Sequence, residues 1–238
     1  MLTRELDNSL FESYSEDIPV ILKRVYAARA VSESQLSMAL PGLLKPSFDQ
    51  LNIALDLLER CILEDQRILI VGDFDADGAT ASAVAIKALR LMGAKHVDFL
   101  VPNRFKHGYG LSPEIVKEAK TAKNPNLIIT VDNGISSNEG AALARSLDID
   151  VIITDHHLPP KVLPDANSII NPNLRGCDFP SKNLAGVGVC FYLFSALKTH
   201  LVGKGYFEEH NIQVPDLREL LDLVALGTVA DVVKLDQN

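Results

Sequence analysis

Short apolar segments alternate with amphipathic ones from Arg67 to about residue 170, and this alternation constrains the fold more than any other feature. The apolar segments have the length of buried strands, and the segments between them have the three-and-four spacing of helices. A strand–helix–strand order predicts right-handed crossovers and a mainly parallel sheet with helices on both faces. We therefore predict an α/β fold with the strands RILIVG, HVDFLVP, LIITV, VIIT and SII.

Two further segments with helical spacing precede this region, at about residues 18–31 and 47–63. We predict that residues 1–63 form an N-terminal helical arm and that residues 64–238 form the sheet domain. Later helices are expected at about 184–201 and 216–226, beside a Gly-rich turn, AGVGV.

Composition narrows the class of protein. No apolar run reaches the roughly 18 residues of a membrane span, and the acidic N-terminus lacks the apolar stretch of a signal peptide. Cys61, Cys177 and Cys190 are scattered and form no CxxC pair, so we expect reduced core thiols in a cytoplasmic protein. The net charge of −8 argues against binding nucleic acid over the whole surface, but bound cations could reverse the sign in one cleft.

Three of the predicted strands meet an aspartate at their carboxyl ends, Asp73, Asp132 and Asp155. In a parallel sheet these ends lie along one edge, where open α/β folds place their ligands. A lone aspartate after a strand is usually a helix cap or a turn former, and DNG at 132–134 could be an ordinary turn. Three such endings in one chain favour a functional site instead.

The first ending, VGDFDADGAT, adds Asp75 and Asp77, and the third adds His156 and His157. If VGDFDADGAT were extended, its three acids would project to one side. Two carboxylates about 5 Å apart repel each other by roughly 3 kcal/mol at an effective dielectric of about 20. We expect bound cations to compensate for that repulsion.

The ligand types favour hard divalent cations, Mn²⁺ or Mg²⁺, in a two-ion site. The site has no thiolates, which argues against structural zinc. A calcium loop fails because its twelfth position is Val84 instead of Glu. Neither a phosphate-binding glycine loop nor a GxSxG elbow is present. Paired cations are most often used to activate water for attack on phosphorus.

The motifs DFDADG, VDNG and DHH, in this order on successive strands, resemble the DHH phosphoesterase family. The stretches VPNRFKHGYGLS, LAGVGV and GTVADVV resemble its RecJ-type exonuclease branch. That resemblance implies 5′-to-3′ removal of nucleotides from single-stranded DNA in repair and recombination, with mononucleotides as products.

The resemblance also implies a ligand set. Asp75 and Asp77 would each bind one ion, Asp132 would bridge both, and His156 and Asp231 would bind the second ion. From the residues alone, Asp231 would be interpreted as a helix-end acid.

Further residues would act close to the ions. We expect Asp155 to orient His156 from behind and His157 to contact the scissile phosphate or an ion. For Asp73 three roles remain open: it could bind an ion, support an ion ligand from behind, or stabilise the loop.

Five residues are candidates for substrate binding. Arg104 would either bind a phosphate or lie in solvent as an ordinary loop arginine. His107 lies in the same loop. Tyr109 would stack on a base or fill the core. Gly186 and Gly188 would let backbone approach a phosphate at a helix N-terminus, or would serve close helix packing.

The chain also departs from the family pattern. Val71 stands where pyrophosphate-hydrolysing members carry His, which favours the nuclease branch. The second catalytic domain and the oligonucleotide-binding barrel of RecJ-type enzymes are absent, so we expect a weakly active half-site cut from a larger protein. Two alternatives are a phosphatase for short oligonucleotides, cyclic dinucleotides or pyrophosphate, and a non-catalytic scaffold. Expected partners are single-stranded DNA, a single-strand-binding protein and a helicase, with no membrane, and the protein is expected to be a monomer.

Overall fold

The computed structural model describes residues 5–36, 43–103 and 108–236. Contacts divide the chain into a first unit, residues 1–44 with 237–238, and a second unit, residues 45–236. The predicted boundary lies after residue 63, whereas the contacts place it before the helix Leu51–Leu63 (α3). The reason is packing, because the buried face of α3 lies against the sheet unit.

The first unit contains α1 (Asn8–Ser13), α2 (Val20–Ala27) and a short 3-10 helix (Glu33–Leu36). The buried Tyr14 donates its hydroxyl hydrogen to the carbonyl of Val31 and so ties the segment after α1 to the segment after α2. The helix predicted at about residues 18–31 is observed only over Val20–Ala27, so it is shorter than expected.

Five strands of the second unit form one sheet in the order β2-β1-β3-β4-β5, and each neighbouring pair is parallel. Their bounds are Ile68–Gly72 (β1), Val97–Leu100 (β2), Leu127–Val131 (β3), Asp150–Thr154 (β4) and Ser168–Ile170 (β5). Every residue of β1 and β3 is buried, as in strands covered on both faces. The predicted α/β class is confirmed.

Helices cover both faces of the sheet. Their bounds are Ala76–Leu91 (α4), Pro113–Ala122 (α5), Asn138–Ser146 (α6), Gly186–Gly203 (α7), Tyr206–Glu209 (α8) and Leu221–Ala230 (α9), with a 3-10 helix at Leu217–Leu220. Leu69, Val71 and Ile128 share one hydrophobic cluster with α5 and α6. The intervening strand residues face the opposite side, where α3, α4 and α7 contact the sheet.

The strand order reverses between β1 and β3. The chain leaves β1 toward β2 and returns to the other side of β1 to form β3, β4 and β5. In open α/β sheets, ligands bind outside the carboxyl ends of the strands at such a reversal. The topology thus marks the edge where β1 and β3 end.

Two local expectations differ from the structure. AGVGV is not a turn, because Ala185 is the residue before the first turn of α7 and Gly186 begins the helix. Cys61 and Cys190 are buried, whereas Cys177 is only partly buried and is not a core thiol. By length and composition α7 could cross a membrane, but 61% of it is buried inside the protein, as in a central core helix.

Candidate metal centre

The carboxyl ends of three neighbouring strands each present a buried aspartate. Asp73, Asp132 and Asp155 follow β1, β3 and β4, and their exposed fractions are 7%, 2% and 1%. The convergence predicted from the sequence is therefore present, and it lies at the reversal of the strand order.

The DFDADG stretch is not extended, contrary to the prediction of alternating side chains. β1 ends at Gly72, and the Asp75 carboxylate accepts a hydrogen bond of 2.9 Å from the Gly78 amide as the N-cap of α4. Asp77 lies in the first turn of this helix. A helix cap replaces the strand period here, because an aspartate before a helix satisfies an otherwise unpaired amide.

Asp77 reaches across to the start of α7. Its Oδ2 accepts a hydrogen bond from the Gly186 amide at 2.6 Å, and its Oδ1 accepts one from the Val187 amide at 2.8 Å. The N-cap residue of α7 is Ala185, whose side chain cannot cap, so Asp77 satisfies these amides from another helix. Burial raises the pKa of Asp77, and the two amides partly oppose that rise.

Asp132 has a left-handed backbone, with φ of +61°. Its amide donates to the Thr154 carbonyl at 3.0 Å, which anchors the residue to the end of β4. A Cβ placed on Gly186 would lie 2.4 Å from the Asp132 Oδ1, so the start of α7 is tightly packed against this carboxylate. The DNG turn therefore directs Asp132 into the cleft between the sheet and α7.

The His156 imidazole lies among carboxylates. Its Nε2 is 3.2 Å from the Asp132 Oδ1 and 3.7 Å from the Asp231 Oδ2. Burial works against the imidazolium, but the carboxylates of Asp132, Asp231 and Asp77 outweigh burial and raise the pKa of His156 to about 9. Burial, with the charges of Asp77 and Asp75, raises the pKa of Asp132 to about 7 against the opposing effect of His156.

The contact between His156 and Asp132 is a close approach rather than a good hydrogen bond. In the part of the chain that the structure describes, both the Asp132 Oδ1 and the His156 Nε2 are buried without a hydrogen-bond partner. Buried polar atoms normally have partners. Two such atoms facing the same space fit the ligands of a bound cation.

Asp231 reaches this cluster from the end of α9. Its amide donates to the Gly227 carbonyl at 2.9 Å, as expected of a helix-end residue. A Cβ on Gly227 would lie 2.4 Å from the Thr80 Oγ1 and 2.9 Å from the Asp77 Oδ1. This close approach of α9 to α4 brings Asp231 to the site, so the residue is both a helix end and a member of the cluster.

The acids and imidazoles fall into groups of three whose ligand atoms lie within 4.8 Å of one another. We name Asp73, Asp75 and Asp132 the first ligand group, and Asp77, His156 and Asp231 the second ligand group. A further combination, Asp132 with His156 and His157, overlaps both. Oxygen ligands with one or two imidazoles suit Mn²⁺ or Mg²⁺. Asp132 belongs to the first ligand group, and its Oδ1 lies 3.2 Å from the His156 Nε2 of the second.

Asp155 contacts the His157 ring and not the His156 ring, which corrects the sequence-based expectation. Its Oδ1 lies 2.7 Å from the His157 Nδ1 and accepts bonds from the amides of His156 and His157, at 2.7 and 3.0 Å. Its Oδ2 accepts a bond of 2.9 Å from the Ile135 amide. Burial alone would raise the pKa of Asp155, but these hydrogen bonds lower it. The carboxylate therefore orients His157 and leaves its Nε2 available.

The remaining candidates for substrate binding differ in how well the structure supports that role. Tyr109 is half-exposed, and its ring meets the His157 ring edge-on at 6.3 Å between centroids, beside an open cavity of about 660 Å³. The atoms nearest to a Cβ on Gly188 all belong to the Leu184 side chain, so Gly188 is a packing residue in this structure. Arg104 and His107 lie outside the described residues.

Three asparagines support the site and were not chosen from the sequence. The Asn171 and Asn173 side chains donate to the carbonyls of His157 and His156, at 2.9 and 2.5 Å. The Asn133 side chain bonds the ends of two strands. Asparagine is so common in turns that its type gives no signal of such a role.

Comparison with known proteins gives a consistent result. The family model described as the DHH family, N-terminal domain, matches residues 67–228. The chain is 56% identical over 224 residues to the single-stranded-DNA-specific exonuclease RecJ of Salmonella typhimurium, covering 93% of this chain and 39% of that protein. It is 54% identical over 237 residues to RecJ of Escherichia coli, covering 99% of this chain and 41% of that protein.

A solved structure shares the fold. The crystal structure of exonuclease RecJ bound to manganese superposes with a TM-score of 0.66 at 34% identity, covering 80% of this chain and 45% of that chain. The chain thus spans about 40% of the length of the curated relatives named above. The match of the family model over most of the sheet unit shows that the chain belongs to the DHH family.

Proposed function

We propose that this chain provides the ion-binding half of a metal-dependent exonuclease that hydrolyses phosphodiester bonds of single-stranded DNA from the 5′ end. The observation that carries the proposal is the pair of ligand groups, in which the Asp132 Oδ1 of the first lies 3.2 Å from the His156 Nε2 of the second. The relatives named as single-stranded-DNA-specific exonucleases, and the manganese-bound RecJ, support it. The 5′-to-3′ direction rests on the resemblance alone.

The first and second ligand groups would hold two divalent cations, Mn²⁺ or Mg²⁺. When bound, such a pair activates water and stabilises the negative charge that develops on the phosphate. The protein's part is to fix the ligands in advance. The two amides that bond Asp77 and the strand end that anchors Asp132 hold these carboxylates where their mutual repulsion would otherwise separate them.

His157 would bind the scissile phosphate. The Asp155 carboxylate has a lowered pKa and can only accept, so the His157 Nδ1 carries the hydrogen between them. That arrangement leaves the Nε2 directed to the open side of the site, since 48% of the His157 side chain is exposed. The bond to Asp155 raises the pKa of His157, and the protonated ring carries a hydrogen on both nitrogens, so its Nε2 can donate a hydrogen bond to a phosphate oxygen.

The substrate and cellular assignments are also part of the proposal. Tyr109 is half-exposed beside His157 and is placed to stack on a base, and Arg104 and His107 would bind the backbone. Because the net charge is −8, bound cations would provide the local attraction for DNA. The resemblance further suggests a monomer in the cytoplasm that acts with a single-strand-binding protein and a helicase.

The test replaces the segment of the Escherichia coli relative that aligns with this chain by the chain itself. The chimera is incubated with Mn²⁺ and an end-labelled single strand, with a dinucleotide and pyrophosphate as competing substrates. Asp132→Asn removes the shared ligand. Asp148→Asn is the matched control, because Asp148 has nearly the same φ, +58°, but lies before β4 at the opposite edge of the sheet.

We expect the unmodified chimera and the Asp148→Asn chimera to release mononucleotides from the 5′ end. Asp132→Asn should lower the rate by more than about 100-fold, the upper end of what supporting residues alone cost. An Asp132→Asn chimera within about tenfold of the unmodified one would refute the ligand assignment. Preference for the dinucleotide or pyrophosphate would refute the substrate assignment.

A further inference from the structure

Asn133 links the ends of the two strands that flank the reversal in strand order. The residue follows Asp132 directly and is fully buried, at 0% exposure. Its Nδ2 donates to the Val71 carbonyl at 3.0 Å and to the Val131 carbonyl at 2.9 Å. These carbonyls belong to β1 and β3, so one side chain bridges both strand ends.

The orientation of the Asn133 amide follows from its partners. Both atoms near the Nδ2 are carbonyl oxygens, which only accept, so a flipped amide would place an oxygen against two oxygens. The main-chain carbonyl of Asn133 also accepts a hydrogen bond of 2.8 Å from the Thr130 hydroxyl. The residue is therefore held through its main chain and its side chain.

The bridge lies where backbone pairing of β1 with β3 stops. The last paired residues are Gly72 and Val131, and the carboxylates of Asp73 and Asp132 follow immediately. Among the described residues, the pairing of β1 with β3 ends here, so ladder bonds between these strands do not oppose the repulsion between the two acids. The Asn133 side chain adds a cross-link at the position where the strands would otherwise separate.

We propose that Asn133 is a positioning residue that sets the spacing between Asp73 and Asp132, and thereby the spacing of the two ions, without touching either ion. This inference rests on the proposed two-ion function. It predicts that loss of the Asn133 amide impairs pairing of the ions more than it impairs folding.

The experiment uses the 238-residue chain and Mn²⁺ alone. Calorimetry measures the number of ions bound and their affinities, and electron paramagnetic resonance distinguishes two ions coupled through a shared carboxylate from isolated ions. The variant is Asn133→Ala. The matched control is Asn126→Ala, because the Asn126 Oδ1 joins the same two strands at their amino ends by accepting from the Arg67 amide at 3.0 Å.

We expect wild type and Asn126→Ala to bind two coupled ions. Asn133→Ala should fold, bind the second ion at least about tenfold more weakly and show the spectrum of isolated ions. A coupled spectrum with unchanged affinities in Asn133→Ala would overturn the proposal. Failure of Asn133→Ala to fold where Asn126→Ala folds would also overturn it, because Asn133 would then be a residue of the sheet core. Absence of coupled ions in wild type would instead overturn the two-ion function itself.

Discussion

Gly186→Ala tests whether the start of α7 defines the position of Asp132. The added Cβ would lie 2.4, 2.5 and 2.6 Å from the Oδ1, Cβ and Cγ of Asp132. Carbon atoms normally approach to about 3.5–4.0 Å. Asp132 is buried and anchored to the end of β4, so it cannot move away without leaving its place in the cluster.

The expected change in the free energy of unfolding combines one stabilising effect with two destabilising effects. Replacing glycine by alanine in a helix stabilises by about 0.5–1 kcal/mol. Overpacking of a buried site destabilises by about 1–3 kcal/mol. If α7 shifts to relieve the contact, the hydrogen bond from the Gly186 amide to Asp77 is weakened, and a bond to a charged group contributes about 1.5–3 kcal/mol. We therefore expect a net destabilisation of about 0–2.5 kcal/mol if α7 stays in place, and of up to about 5.5 kcal/mol if the bond to Asp77 is lost as well.

Gly188→Ala is the matched control within the same helix. Its added Cβ would lie 3.1 Å from the Leu184 Cδ2, a terminal methyl group that can rotate. We expect it to change the free energy of unfolding by less than about 1 kcal/mol. Urea unfolding measures both variants, and calorimetry with Mn²⁺ should show weakened binding for Gly186→Ala only. Equal stabilities and equal Mn²⁺ affinities for the two variants would refute the packing argument.

Three further predictions follow from the electrostatics of the site. The pKa of His156 is raised to about 9 and that of Asp132 to about 7, so the metal-free protein binds more protons than the unfolded chain, and its melting temperature should fall from about pH 5 to about pH 9. A melting temperature that rises with pH would contradict these raised pKa values. Because Mn²⁺ displaces the same protons, its affinity measured by calorimetry should increase as the pH rises over this range. Asp155→Asn should destabilise by about 1.5–3 kcal/mol in urea unfolding. It should also lower the pKa of His157 measured by nuclear magnetic resonance, because the bond to a charged carboxylate becomes a bond to a neutral amide; an unchanged His157 pKa would contradict the pairing. Asp75→Asn should keep the helix cap and alter stability by less than about 0.5 kcal/mol while weakening Mn²⁺ binding, whereas unchanged binding would exclude Asp75 as a ligand.

The fold could be predicted because its signals are local. Apolar strands and amphipathic helices alternate along the chain, and the aspartates at strand ends fall on one edge once the sheet is parallel. The error at DFDADG came from extending the strand period past Gly72, although Asp75 followed by a helix pattern is also a cap signal. Two local rules competed there, and helix capping determined the structure.

The site was less accessible from sequence because its contacts join distant segments. The bond from Asp77 to the start of α7 spans more than 100 residues, and Gly186 is required by a neighbour, Asp132, that no local pattern indicates. Asp231 was placed by resemblance and not by its residue type. Either neighbouring histidine lies within reach of Asp155, and only the ring orientations reveal that His157 is its partner.

Crystals of the chain soaked in Mn²⁺ and measured by anomalous scattering provide the most direct test of the central claim. We predict two peaks about 4 Å apart, one bound by the first ligand group and one by the second, with Asp132 contacting both. A single peak, or two peaks of which Asp132 contacts only one, would contradict it.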